Sequence, residues 1–233
     1  MESLIVGARV LFFGRNKCEA SQKIFRKLER YGFNVTYFES KNRNEPIPED
    51  IFSWEGEYII CFRSLFILSE QLLRKAKVAA INFHPAPPEY PGSGCINFAL
   101  YDEAENYGVT AHLMNKKVDN GKILEVRRFP INYDDDLPKL LKRTHTELYD
   151  LCSDFIHALA TQGESILAEK ENQSIHEVWY GKARLQKELE KLQIINPKIN
   201  KLELERIIRA TNIEGFPPKI TLHGYSFYLK LDD

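Results

Sequence analysis

The stretch "KVAAINFHPAPPEYPGSG", residues 77–94, decides how this chain is read. An apolar run, 78–83, is too short for an amphipathic helix and reads as a buried strand. It stops at an amide and an imidazole two residues apart, Asn82 and His84. Four prolines and two glycines follow within ten residues. Each proline fixes its own φ and restricts the residue before it, so this loop has few conformations open to it. A stiff loop at a strand end holds side chains in place before any reaction begins. The glycines of "PGSG" permit a close turn.

Upstream, "ARVLFFG" (8–14), "NVTYFES" (34–40) and "GEYIICF" (56–62) read as strands. Between them, 18–32 and 67–77 carry helical spacing, and Gly32 stops the first. Strands alternating with helical pieces argue for βαβ units and a mostly parallel sheet. Downstream, 95–106 reads as a helix, and 108–115 and 122–131 as strands around "KKVDNG". A long amphipathic helix follows over 133–163, with acidic residues at its start, Pro138 near the first turn and Gly163 at its end. From about 170 the texture changes. Two helical patches flank "INPKIN", and the tail reads as a hairpin of "KITL" and "YSFYLKL" turning at His223-Gly224. The expected division is 1–168 as the main domain and 169–233 as a small C-terminal subdomain of helices and hairpin.

Composition narrows the function. With 233 residues the chain can bury a substantial core. A net charge of −1 with dispersed basic residues gives no footprint for nucleic acid. No apolar run approaches the roughly 20 residues that span a bilayer, so no membrane partner is expected. The start lacks the pattern of a signal peptide, and Cys18, Cys61, Cys95 and Cys152 are scattered, which suits a reducing cytoplasm. No CxxC pair or other metal-ligand cluster is visible, so no metal is expected. "NVT" at Asn34 and "NQS" at Asn172 match the glycosylation pattern by chance on this reading.

Taken singly, the motif residues have ordinary readings. An asparagine at a strand end is commonly a turn cap, a histidine before proline is commonly structural, and "VDNG" (118–121) is a hairpin turn. Order and spacing say more. The run "NFHPAPPEYPGSGCINFALYDEAENYGVTAHLMNKKVDNGKI" contains N-x-H-P, a Pro/Gly loop, a helix, G-V-T-x-H and D-x-G in sequence. It resembles the core of the folate-dependent N-formyltransferases, a family that includes glycinamide ribonucleotide transformylase, methionyl-tRNA formyltransferase and the sugar N-formyltransferases. The resemblance covers residues 8–131 well and continues weakly through "RIIRAT" (206–211). It implies a Rossmann-like α/β fold and a catalytic trio of Asn82, His84 and Asp119. His112, two residues after Thr110 on one strand face, stands either in the site or behind it as a satisfied core histidine.

The chemistry suits those residue types. The family moves a formyl group from 10-formyltetrahydrofolate to a neutral primary amine, and negative charge develops on the formyl oxygen. The Asn82 amide can donate to that oxygen. His84 can donate too, and can pass a proton to the departing folate nitrogen. Asp119 would orient the imidazole and take up the amine proton directly or through water. The resemblance also implies a pterin cleft between two segments, Ser64, Leu65, Phe66, Ile67 and Leu68 on one side and Lys116, Lys117 and Val118 on the other. From the residues alone, "SLFILS" is only the apolar entry to a helix.

For the amine, the local phrase "FHPAPPEYPG…NFALY" is most similar to the sugar N-formyltransferases, whose substrates are nucleotide-linked 4-amino-4,6-dideoxyhexoses or their 3-amino isomers, and whose products feed O-antigen and related surface glycans. "FGRNKCEAS" stands where the glycinamide ribonucleotide enzymes carry a Gly-Ser-Asn loop, and only about 65 residues follow position 168, which argues against a tRNA partner. Tyr90 and Asn97 are then expected near the sugar. Trp179, Lys182 and Arg184 in "EVWYGKAR" either stack a base and pair a phosphate or, on the favoured reading for Trp179 and Tyr180, pack the subdomain. Tyr225, Phe227 and Tyr228 face the core or a second copy, and a homodimer is expected. Three alternatives stand beside this. One is a formyltetrahydrofolate hydrolase, disfavoured by the seven or so residues before the first strand. Another is a non-catalytic module binding folate or a nucleotide sugar. The weakest is a nicotinamide-binding protein, since no GxGxxG follows the first strand.

Overall fold

The computed structural model describes residues 6–43 and 45–230. Asn44 and Leu231, which the sequence reading places in a loop and in the last strand, lie outside the described residues.

Six strands make the main sheet: β1 (Arg9–Arg15), β2 (Asn34–Ser40), β3 (Gly56–Phe62), β4 (Ala76–His84), β5 (Asn106–Leu113) and β6 (Ile123–Pro130). Their order is β2-β1-β3-β4-β5-β6. The first four run parallel, and β5 and β6 each pair antiparallel. Alternate residues of each strand enter two different apolar layers. Val10, Phe12, Tyr58, Ile60, Ile81, Phe83, Val109 and Ala111 face the larger one. There the helices α1 (Glu19–Arg30), α3 (Cys95–Tyr101) and α4 (Leu137–Gln162) cover the sheet. Leu11, Phe13, Ile59 and Cys61 face the smaller layer, completed by Ile51, Trp54 and Leu72, the last from α2 (Glu70–Leu73). Asn82 and His84, like His112 and Thr110, belong by period two to this second face. Its apolar floor therefore gives way to a polar cluster where β4 ends.

The expected strands at 34–40 and 56–62 are found at those bounds, and the long helix is capped by Asp136, whose carboxylate accepts from Lys139 N–H at 2.9 Å. Two expected helices are corrected. The helix expected over 67–77 is confined to α2, because the sheet claims its second half: Ala76 already pairs with Gly56. The helix expected over 95–106 ends at Tyr101, because Asn106 joins the sheet opposite Pro130. A helix not foreseen, α5 (Ser165–Gln173), buries Ile166, and the expected division at 168/169 falls inside it. Beyond it lie α6 (Gln186–Leu192), α7 (Lys201–Thr211) and the hairpin β7 (Lys219–Leu222) and β8 (Tyr225–Tyr228). The hairpin turns at His223 (φ 49°) and Gly224 (φ 85°). Positive φ at both central residues is the turn whose twist matches two antiparallel strands. Among the described residues no helix is long and apolar enough to cross a membrane.

Candidate active site

The cluster is assembled from β4, β5 and two loops. Across the β4–β5 ladder Asn82 lies opposite His112 and His84 opposite Thr110. The proline loop is tied down from β5: the Tyr107 hydroxyl donates to the Pro85 carbonyl at 2.9 Å, and the buried Thr110 hydroxyl to the Ala86 carbonyl at 2.7 Å. These bonds aim the loop back over the strand ends. There the Tyr90 carbonyl lies 3.2 Å from His84 Nε2, and the Gly92 N–H donates to Asp119 Oδ2 at 2.9 Å.

Asp119 reaches the cluster from the turn after β5. Its backbone is left-handed (φ 45°), a conformation tolerated by Asp better than by most side chains. Gly121 completes the turn for a steric reason: a Cβ there would fall 1.6 Å from the Leu113 carbonyl oxygen. The D-x-G pattern thus lets the turn fold against β5 and brings a carboxylate over the histidines. Asp119 Oδ2 lies 3.3 Å from His84 Nδ1, and Oδ1 lies 3.5 Å from His112 Nε2. The same His112 Nε2 is 3.1 Å from Asn82 Nδ2, while its Nδ1 lies 2.9 Å from the Leu113 carbonyl. With Nδ1–H donating to that carbonyl, neutral Nε2 is an acceptor for one of the two Asn82 amide hydrogens. The second hydrogen remains free for a ligand. His112 Nε2 thus lies between the Asn82 amide and the Asp119 carboxylate, within the cluster.

Electrostatics follow from burial. His84, His112 and Asp119 are all nearly inaccessible. Burial alone would raise the Asp119 pKa. The facing His84, the neighbouring His112 and the Gly92 N–H outweigh it and hold the carboxyl down to about 2. Burial pushes His84 down, against the pull of Asp119. Both His84 ring nitrogens face oxygen acceptors, so the neutral ring satisfies only one of them and taking up a proton satisfies both. Cys95, 3.9 Å from His84 Nε2, donates to the Gly92 carbonyl and is pushed up to about 12 by burial, so it is an inert neighbour.

The C-terminal strap crosses this cluster. Trp179 stands edge-on to His112 (ring centroids 5.0 Å apart) and His84 (5.8 Å), and its indole N–H donates to the Gly121 carbonyl at 2.6 Å. Tyr180 turns outward while its N–H binds the Pro88 carbonyl. Arg184 pairs through its backbone with Pro91 and Ser93. Its guanidinium sits 3.9 Å over the Phe98 ring, 3.7 Å from Asp102. Lys182 is exposed. Asn97 uses its amide to hold the Ala210 carbonyl of α7 at 2.8 Å, and Tyr90 faces the cluster through its carbonyl, its ring lying against Tyr107. The glycines of "PGSG" are expected to permit a close turn, without a part for the Gly92 N–H in the site. The Pro-Gly step was its signal, and its close approach to the Arg184 backbone, 2.4 Å from where a Cβ would stand, is its reason.

The two segments expected to border a pterin lie on the same face of the sheet. Phe66 and Leu68 pack on the smaller apolar layer, as does Met114 just before Lys116. Between described residues, the backbone groups of Ile67 and Val118 make no hydrogen bonds, and their side chains are 68% and 51% exposed. Open donors and acceptors beside apolar surface fit a flat, polar-edged ring. A cavity of about 500 Å³ lies alongside, lined by Leu73, Arg74, Met114, Lys116, Lys117 and Asn120 among others.

Known proteins are similar to this chain in sequence and in fold. A methionyl-tRNA formyltransferase of Staphylococcus epidermidis is 30% identical over 173 residues, 68% of this chain and 56% of its own length. The chain spans about half the length of such curated relatives. A sugar N-formyltransferase from Shewanella superposes with a TM-score of 0.68 at 19% identity, covering 96% of this chain and 97% of its own. An N-formyltransferase from Helicobacter canadensis, solved with folinic acid and dTDP-3-aminofucose, gives a TM-score of 0.66 at 15% identity over 93% of this chain and 85% of its own. The profile of the family described as formyl transferase matches residues 3–156, which hold β1 to β6 and Asn82, His84, His112 and Asp119 together, and the chain belongs to that family.

Proposed function

We propose that the chain transfers a formyl group from 10-formyltetrahydrofolate to the amino group of a nucleotide-linked amino-dideoxy sugar, a dTDP-4-amino-4,6-dideoxyhexose or its 3-amino isomer, for surface glycan synthesis in the cytoplasm. The observation that carries this reading is the convergence of Asn82, His84, His112 and Asp119 at one strand end, beside open backbone edges at 64–68 and 116–118. The structural neighbours' sugar N-formyltransferase activity, and the dTDP-aminofucose bound to one of them, support the class of amine.

The roles follow from the atoms. The free Asn82 N–H donates to the formyl oxygen as it gains charge. Neutral His84 accepts the proton released by the attacking amine, and its second ring nitrogen then finds its partner in Asp119 or the Tyr90 carbonyl. From there the proton can pass to the departing folate nitrogen. Asp119, ionised, stabilises the protonated ring and fixes its orientation. Trp179 stands where the amine must approach, so substrate displaces it or stacks on it. Residues 169–233 serve as the subdomain that brings this strap over the site, and the hairpin joins two copies in a dimer. Incubating the protein with 10-formyltetrahydrofolate and a panel of dTDP- and UDP-amino sugars, then weighing the products, tests the reading. One formyl mass gained on a sugar supports it. Formate release without any amine would replace it with the hydrolase.

A further inference from the structure

A second polar cluster stands one strand away from the first. β1 ends at Arg15, and Arg63 follows the last residue of β3, whose Phe62 pairs with Phe83. Arg63 thus stands alongside His84 at the carboxyl edge of adjacent strands, where open α/β sheets bind ligands. The Arg63 guanidinium reaches Cys18, the residue preceding α1, with Nη1 3.4 Å from Sγ. His145 enters from α4. It is half-buried, and burial together with Arg63 and Arg15 pushes its pKa down to about 4. Arg63 is itself pushed down by burial and by Arg15, against Cys18.

Among the described residues no carboxylate pairs with these arginines, and His145 makes no hydrogen bond. Two acids of the adjoining α1 and β2 are engaged elsewhere: Glu19 pairs with Lys23 at 2.8 Å, and Glu39 accepts from Asn16, Gln22 and Tyr37. Arg63 is also held in the left-handed region at φ 57°. Holding two guanidinium groups at neighbouring strand ends, one of them on a strained backbone, is unfavourable unless something of opposite charge completes the pair. Arg184, by contrast, is already stacked on Phe98 beside Asp102.

We propose that Arg15 and Arg63, at the ends of the neighbouring strands β1 and β3, form a binding site for a phosphoryl oxyanion, and that it receives the diphosphate of the substrate in place of Lys182 and Arg184. Guanidinium groups match phosphate geometry with paired N–H donors. The identity of the ligand rests on the nucleotide-sugar reading. The anion site itself does not.

Isothermal titration of the intact protein with inorganic pyrophosphate, dTDP, thymidine and 5-formyltetrahydrofolate tests this. The expectation is that pyrophosphate and dTDP bind and thymidine binds far more weakly. Arg15→Gln and Arg63→Gln should each weaken pyrophosphate and dTDP roughly 10-fold or more and leave 5-formyltetrahydrofolate unchanged, with Arg63→Lys retaining part of the affinity. Unchanged dTDP and pyrophosphate binding in both glutamine variants, with native circular dichroism, overturns the site. So does a loss confined to 5-formyltetrahydrofolate, which would give the cluster to the folate's glutamate carboxylates. If Arg63→Gln does not fold, exposed Arg15 carries the comparison. Should pyrophosphate bind in an arginine-dependent way while dTDP binds no tighter, the anion site stands and the nucleotide-sugar reading falls. Formylation of an amino sugar with unaltered KM in both variants upholds the nucleotide-sugar reading and removes the diphosphate from this cluster.

Discussion

Asp119 is the residue on which the site's electrostatics turn. It is ionised, buried, and met by two imidazoles and one backbone N–H. Asp119→Asn keeps the shape, removes the charge that stabilises protonated His84, and is expected to lower kcat about 100-fold or more with little change in folding. On the proposed mechanism Asn82→Ala removes the donor to the formyl oxygen, and such a donor contributes roughly 3 kcal/mol, or about 100-fold in kcat. Steady-state kinetics on both variants check this, and normal turnover in both would remove the assigned roles. Stability should also report these groups. His84 and His145 have depressed pKa values in the folded state, so the unfolded chain binds their protons first. Their contribution is complete above about pH 6.5 and is lost as pH falls, for His145 toward 4. That of Asp119 is lost later, between about 3.8 and 2. Each proton taken up on unfolding costs up to about 1.4 kcal/mol per pH unit. Thermal melting from about pH 7.5 to about pH 4.5 should show a decline that His145→Gln makes shallower.

At the scale of elements, the proline loop and the strap act as one unit. Gly92 (φ 91°) sits under the Arg184 backbone, with Ser93 N–H and the Pro91 carbonyl bonded to either side of it. Gly92→Ala would force the strap away and lift Trp179 from the histidines. The expected cost is roughly 2–3 kcal/mol, or several degrees in Tm for a chain of this size. Trp179 emission should shift to the red, while Trp54, buried in the smaller apolar layer, stays as a constant background. Unshifted emission would mean that the strap is not seated as described. This contact also marks what was legible beforehand. The strands were readable because β-formers and glycine stops agree with the sheet, and the N-x-H-P to D-x-G order named Asn82, His84 and Asp119 before any geometry. The place of His112 in the cluster was not legible, because it depends on the β4–β5 register that sets it opposite Asn82. Helix 67–77 was misread because the sheet's ladder to Gly56 outweighed a helical period in "LLRKAK". Arg15, Arg63 and His145 are separated by 48 and 82 residues, so no local pattern could join them.

At the scale of the whole molecule, α7 binds the C-terminal segment to the main domain. Arg206 donates to the Tyr101 carbonyl, the Tyr101 hydroxyl to Glu203, and Arg209 to the Asp135 carbonyl. The hairpin beyond it is tied at its base, where Lys219 bonds through its backbone to Gln193 and Ile195, and its far end is left open. Its ladder pairs Ile220 with Phe227 and Leu222 with Tyr225, so one face is wholly apolar, while the other carries Lys219, Thr221, Ser226 and Tyr228. On that apolar face Leu222 is 46%, Tyr225 71% and Phe227 59% exposed. A two-stranded hairpin is at best marginally stable in water without something packed on it, and these side chains are too many and too contiguous for ordinary surface. A second copy supplies a matching face, since symmetric dimers bring identical patches together. Multi-angle light scattering at micromolar concentration should then give twice the chain mass, and Phe227→Glu should halve it while Asn82, His84 and Asp119, far from this tail in sequence, keep a measurable turnover. A wild-type protein that scatters as a monomer, with hairpin amides unprotected from hydrogen exchange, would show that the face is left to solvent and that the tail does not join two copies.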